Sequence, residues 1–273
     1  MLTYDVVVPV KLLAEAKTRL APSLDSAARA GLARAFVLDT IDAALAAERV
    51  AQVIVVGDLS GHVDEVPAGV VVVAEPEPRS LSAAIRHGIA EARRIAVDER
   101  DSGHAGRTAR SHRGIAVLLG DLPALTPQAL DVALGAASRH PLAFMPDAEG
   151  TGTTLATAAA HTRFEPAFGA DSAMLHRALG FHDLSHEVPA ALVERLRRDV
   201  DTIDALDAAV RLGLGAHTTA ALAARDERSA VEPGTADTDV ADARAADARA
   251  AESHITETGA HTRPIDSTRK GAA

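Results

Sequence analysis

The run IAVLLGD, Ile115–Asp121, decides the fold. Five apolar residues stand in a row, two of them β-branched, and Gly-Asp closes the run. Unbroken rather than alternating hydrophobicity over so short a length reads as a strand covered on both faces, which is the habit of parallel sheets. Four more runs follow the same pattern: DVVVPV (Asp5–Val10), QVIVVG (Gln52–Gly57), VVVVA (Val70–Ala74) and LAFMPD (Leu142–Asp147). Between them lie helical patterns. Asp25–Ala47 repeats Ala28, Leu32, Ala35, Phe36, Leu38, Ile41 and Leu45 at helical spacing. Ser80–Val97 and Pro127–Ser138 read likewise, each introduced by a capping Ser or Thr. Strands alternating with helices predict a doubly wound α/β fold with a mainly parallel sheet. Ligands of such sheets bind beyond the carboxyl ends of the strands, so the residues that end strands carry the functional information.

Composition narrows the classes. The 273 residues include 28 basic and 38 acidic ones, a net −10, which makes a poor generic binder of nucleic acid or anionic membrane. Aromatics are 2%, too few for base-stacking platforms. There is no cysteine, which excludes disulfides, thiolate metal sites and a thiol nucleophile. No apolar run is long enough for a bilayer, and MLTYDVVVPVK lacks the pattern of a signal peptide, so a cytoplasmic location is expected. The folded domain is expected over residues 1–222. Residues 98–113, with no apolar side chain larger than Ala, read as a flexible insertion. Residues 223–273 read as a disordered acidic tail: from Asp226 onward the large apolar residues are only Val231, Val240, Ile255 and Ile265.

The strand ends then show what the site could hold. No G-x-G-x-x-G, Walker-type phosphate loop or G-x-S-x-G elbow is present. Lys11, Lys17 and Arg19 follow the first strand, three cations suited to a polyphosphate on an acidic protein, or simply a solvated loop. Gly120-Asp121-Leu122-Pro123 ends the fourth, offering a hard oxygen ligand for Mg²⁺ or merely a turn before a helix. Gly150-Thr151-Gly152-Thr153-Thr154 offers backbone amides and hydroxyls for an anion, or is a glycine-rich hairpin turn. Phe168-Gly169-Ala170-Asp171-Ser172 opens a helix that Asp171 or Ser172 would cap, with His176 one turn on, a ligand contact or a packing residue. In Arg198-Asp199-Val200-Asp201-Thr202, read as a short strand, Asp199 and Asp201 point the same way and invite a divalent cation; capping of the next helix, Ile203–Leu212, competes for Asp201.

In this order the pieces VPVK…AKTRL, GDLPAL, GTGTT, FGADS and DVDT, spanning residues 1 to about 215, resemble the guanylyltransferases of coenzyme F-420 biosynthesis, which act on phosphoenolpyruvate or on 2-phospho-L-lactate. The resemblance implies a three-layer nucleotide-diphospho-sugar transferase-like (GT-A type) fold. It implies transfer of GMP from GTP to phosphoenolpyruvate, giving enolpyruvyl-diphospho-5'-guanosine and pyrophosphate. It also implies Mg²⁺ on Asp121, Asp199 and Asp201, with Asp121, Lys17 and Arg19 as the catalytic set. Thr153, Gly169 and Ser172 would hold the acid. Lys11, Lys17, Arg19, Leu81 and Ser82 would hold the nucleotide. A downstream transferase that consumes the unstable product is the implied partner. The alternatives are a molybdenum-cofactor guanylyltransferase or a sugar-phosphate enzyme of the same fold, a non-catalytic GTP-binding module, and a structural protein assembling through its tail. Val8-Pro9-Val10-Lys11, standing where the molybdenum-cofactor and sugar-phosphate enzymes have a glycine-rich loop, counts against both.

Overall fold

A computed structural model describes residues 1–10, 24–59, 66–101 and 113–231. Met1–Arg225 form one compact unit. Its centre is a seven-stranded sheet in the order β3-β2-β1-β4-β6-β5-β7. The five predicted runs are β1 (Tyr4–Pro9), β2 (Val50–Val56), β3 (Val70–Val73), β4 (Gly114–Leu118) and β5 (Leu142–Pro146). Two strands were not anticipated. β6 (Thr153–Ala158) returns from β5 through a hairpin and lies antiparallel between β4 and β5. β7 (His182–Asp183) pairs parallel with β5 at the edge. The sheet is therefore mainly parallel, with β6 its one antiparallel member among the described residues.

Period-two alternation divides the strand side chains between two cores. Val6, Val8, Val53, Val55, Ala116 and Leu118 face α1 (Ser26–Leu45), α3 (Pro127–Ala137) and α5 (Ala190–Arg197). Val7, Ile54, Val56, Val117, Phe144 and Ala156 face α2 (Leu81–Asp101) and α4 (Ser172–Ala178). All twelve are at 0% exposure, which is why these runs show no alternation in sequence. Each of the Val, Ile, Leu and Phe side chains contributes roughly 1.5–3 kcal/mol by leaving water. α6 (Ile203–Leu212) and α7 (Ala216–Val231) cover α1 from outside through Leu206, Ala209 and Leu222, a third cluster that also takes in Val200.

Helix starts follow the expected chemistry. Asp25 accepts from the Ala28 amide at 2.7 Å, Ser80 from Ala83 at 3.1 Å, and Thr126 from Ala129 at 3.3 Å. The start of α7 is capped at a distance instead: the buried Asp39 carboxylate of α1 accepts from the His217 and Thr218 amides, both at 2.9 Å. A Cβ on Gly215 would lie 2.3 Å from Asp39, so this close approach requires glycine.

Two boundaries differ from the sequence reading. α2 runs on to Asp101, four residues into the segment assigned to the insertion. Arg113, at that segment's other end, is no solvated loop residue: its side chain is buried against Asp5 at 3.2 Å and Glu99 at 2.5 Å. Burial pushes the Asp5 carboxyl up to about 6, against the pull of Arg113. α7 continues past residue 222 to Val231, so the first residues assigned to the tail are helical. Residues 102–112 and 232–273 lie outside the described residues.

Candidate active site

Three segments meet at the carboxyl end of the sheet. The chain leaves β4 through Gly120 and Asp121, where Thr40 of α1 organises the turn. Its hydroxyl donates to the Phe36 carbonyl at 2.8 Å and accepts from the Leu122 amide at 3.1 Å. The Val200 amide donates to the Asp121 carbonyl at 3.1 Å. This bond lays the backbone of Asp199–Asp201 against that of Asp121. Val200 is fully buried and anchors the segment; Asp199 is half-buried and Asp201 exposed. The segment is not a strand, as its alternation had predicted, but an irregular link from α5 to α6. Helix-capping does not occupy Asp201, because Thr202 caps α6 by accepting from Ala205 at 3.2 Å.

The third segment is the β5–β6 hairpin. The Leu119 amide donates to the Thr154 carbonyl at 2.9 Å, tying it to the β4 exit. The register shifts at Met145/Pro146, where Met145 faces Leu155 but Pro146 faces Thr153. Thr154 is thus the extra residue of a bulge, and bulges re-aim the side chains beside them. Thr154 turns toward α5 and donates to the Leu196 carbonyl at 2.7 Å. Thr153 turns toward α4, with its Oγ1 2.9 Å from His176 Nδ1.

The hairpin's own amides are not open to a ligand, contrary to the cradle reading. Asp147 accepts from Thr151 at 2.9 Å and from Gly152 at 2.7 Å, and a Cβ on Gly152 would meet that carboxylate at 2.3 Å. Arg197 locks the same corner by donating to the carbonyls of Pro146, Asp147 and Ala148.

Thr153 and Ser172 meet at His176, and Gly169 is tied to them through the Ser172 amide. The Ala173 amide donates to the Thr151 carbonyl at 3.0 Å, fastening the start of α4 to the hairpin. Ser172 is buried, and its amide donates to the Gly169 carbonyl at 3.3 Å. Gly169, exposed at φ +127°, adopts a backbone that side chains resist. Asp171 stands at the cap position with φ +55° but makes no capping hydrogen bond, so the expected side-chain cap is absent.

His176 is fully buried among Phe144, Phe168 and Phe181. Its Nε2 accepts from the Ala167 amide at 3.0 Å. Nε2 therefore carries no proton, and in the neutral ring the proton sits on Nδ1 and points at Thr153. Thr153 Oγ1 accepts from it and keeps its own hydrogen to donate. Burial drives the His176 pKa down to about 4, against the pull of the Ser172 carbonyl, so the ring is neutral near pH 7. The sequence shows His176 one turn after Ser172, but not the partner that β6 brings to it.

Leu81 and Ser82 open α2 beyond the end of β3, hence at the same pole of the sheet, half-buried and exposed respectively. Lys11, Lys17 and Arg19 lie outside the described residues. The chain approaches them past Gly57 (φ +143°), where a Cβ would be 2.4 Å from the Val10 carbonyl oxygen.

The fold and the strand-end site define a nucleotidyltransferase-type α/β protein. A crystal structure from Desulfovibrio desulfuricans G20, described as a nucleotide-diphospho-sugar transferase, matches with a TM-score of 0.56 at 18% identity, over 83% of this chain and 96% of that one. The chain belongs to the family of CofC-like guanylyl transferases, whose model matches residues 4–178. The phosphoenolpyruvate guanylyltransferase of Streptomyces coelicolor is 44% identical over 223 residues, which is 81% of this chain and 96% of the relative. That of Streptomyces scabiei is 42% identical over 225 residues, with the same coverage.

Proposed function

We propose that the chain is a guanylyltransferase that moves GMP from GTP to phosphoenolpyruvate in coenzyme F-420 biosynthesis. A phosphate oxygen of the acid attacks the α-phosphorus of GTP. The new P–O bond joins the acid to GMP, and the bond to the leaving pyrophosphate breaks. Phosphate monoesters have a second pKa near 6, so the attacking oxygen is already ionised and no general base is needed. The task is to hold two polyanions in line.

The observation that carries this reading is the hydrogen bond from Val200 to the Asp121 carbonyl, which joins the D-V-D segment to the G-D turn. That bond brings the backbones of Asp121 and Asp199–Asp201 side by side, and the three carboxylates would offer Mg²⁺ the oxygen ligands it prefers. Bound there, Mg²⁺ would neutralise phosphate charge and favour pyrophosphate as leaving group. Thr153 donates its hydroxyl hydrogen to the acid, and Ser172 and Gly169 complete that pocket. Thr154 is set aside, because its hydroxyl serves Leu196. Lys11, Lys17 and Arg19 take the GTP phosphates from the β1 exit, and Leu81 and Ser82 lie on the nucleotide side. The domain carrying this chemistry is the compact unit Met1–Arg225, and a downstream transferase draws off the product.

Pyrophosphate release measured with GTP, Mg²⁺ and each of phosphoenolpyruvate, 2-phospholactate and phosphoglycerate tests the reading, with a product-consuming transferase present. Release with GTP and phosphoenolpyruvate, but not with ATP, is expected. Release only with 2-phospholactate would reassign the acid. No release with any acid would sink the proposal.

A further inference from the structure

A second cluster of metal-ligating side chains lies at the opposite pole of the sheet. Leu142 of β5 and Ile115 of β4 both pair with Ala158, so the two strands start level. Asp121 comes six residues after Ile115, roughly 20 Å along the strand direction. His140 stands two residues before Leu142, on the other side. It faces His182 of β7 and Glu187, just beyond the 3-10 turn Leu184–His186. His140 Nε2 is 2.8 Å and His182 Nε2 2.5 Å from the same oxygen, Glu187 Oε1. The ligand atoms of all three residues lie within 4.8 Å of one another. The two rings stack at 3.7 Å, with 7° between their planes.

We propose that His140, His182 and Glu187 bind a divalent transition-metal ion of the zinc type, with water completing the tetrahedron. Two imidazoles and one carboxylate are an established donor set for zinc, and a hard, oxygen-seeking ion such as Mg²⁺ would not choose it. At bonds of about 2.0–2.2 Å, the ligand atoms of a tetrahedral site stand about 3.4 Å apart, so on binding the two near-parallel imidazoles swing out of their stack to aim both Nε2 lone pairs at the ion. The support around the ligands is already in place. Arg139 takes the other Glu187 oxygen, Oε2, and orients the carboxylate. Asp183 accepts from the Ser185 amide at 3.0 Å and from its hydroxyl at 2.7 Å, while buried Leu184 pins the turn. His182 and Glu187 are therefore held in fixed relation. The ion would clip β7, an edge strand of only two residues, to the α3–β5 corner. Its role is structural and independent of the carboxylates at the other pole.

The test is calorimetric titration of the untagged full chain with Zn²⁺ in excess Mg²⁺, with thermal melts of the same samples. One Zn²⁺ per chain is expected, with a rise in Tm on binding. His182→Gln, at a side chain 45% exposed and so safe for folding, should lose at least tenfold in zinc affinity. The His140→Gln/His182→Gln pair should lose the Tm response, while Asp121→Asn keeps both. No saturable zinc binding, or the same affinity in the double variant, would overturn the site. Zinc binding lost in Asp121→Asn but kept in the double variant would do the same.

Discussion

Thr153 Oγ1 and His176 Nδ1 lie 2.9 Å apart, and the Ala167 amide on the far ring nitrogen decides the direction of that bond. The histidine donates, so the threonine hydroxyl hydrogen is free for a ligand. Its neighbour spends its hydroxyl on Leu196. The two threonines should therefore fail differently. Thr153→Val should raise KM for the acid about tenfold or more, the worth of one hydrogen bond to a charged group. Thr154→Val should leave KM within about twofold but cost about 1 kcal/mol of stability. Steady-state kinetics beside denaturant unfolding separate the two; equal KM effects would refute the assignment.

His176 also sets a pH dependence of stability. Its pKa falls from an ordinary 6.5 to about 4 on burial. Above pH 6.5 the ring is neutral in both states and the stability is fully present. Between 6.5 and 4 the unfolded chain takes up a proton that the folded one refuses, so stability falls with pH. From pH 7.5 to 5.0 this contributes a loss of roughly 2 kcal/mol. His176→Gln removes the titration, and its unfolding free energy should fall less over the same range by about that amount. Parallel pH slopes for the two proteins would contradict the burial argument.

Much of this was legible from sequence, and the parts that were not have a common cause. Apolar runs such as Val6–Val8 announce strands because both faces are covered. β6 escaped because Thr153, Thr154 and Thr157 look like a polar turn until the hairpin buries them. β7 escaped because two residues carry no period. Local chemistry showed Asp121, Ser172 and Gly169 at element ends. It could not show that Thr154 bulges, that Asp147 consumes the hairpin amides, or that His140 and His182 stack, because each depends on a partner from another strand.

Asp121 is the sharpest test of the proposed metal-ligand set. It is half-buried at the β4 exit, and its backbone, not its side chain, receives Val200. Asp121→Asn should therefore keep Tm within about 3 °C while cutting turnover on the order of 100-fold or more. Excess Mg²⁺ should recover little of it. Full activity at ordinary Mg²⁺ would end the metal-ligand role.

The C-terminal boundary can be placed by two truncations with opposite outcomes. Beyond Val231 the large apolar residues are Val240, Ile255 and Ile265, so that stretch has little apolar surface to offer the domain's core. Ending the chain after Val231 should leave kcat/KM within about twofold and Tm within about 2 °C. Ending it after Leu214 removes α7, and with it the two amides that meet the buried Asp39 carboxylate. A buried charge stripped of its donors costs about 3 kcal/mol or more, so this shorter chain should unfold at clearly lower denaturant. If the longer truncate loses turnover while its Tm holds, residues past Val231 act in the reaction, and the domain does not end where composition places it.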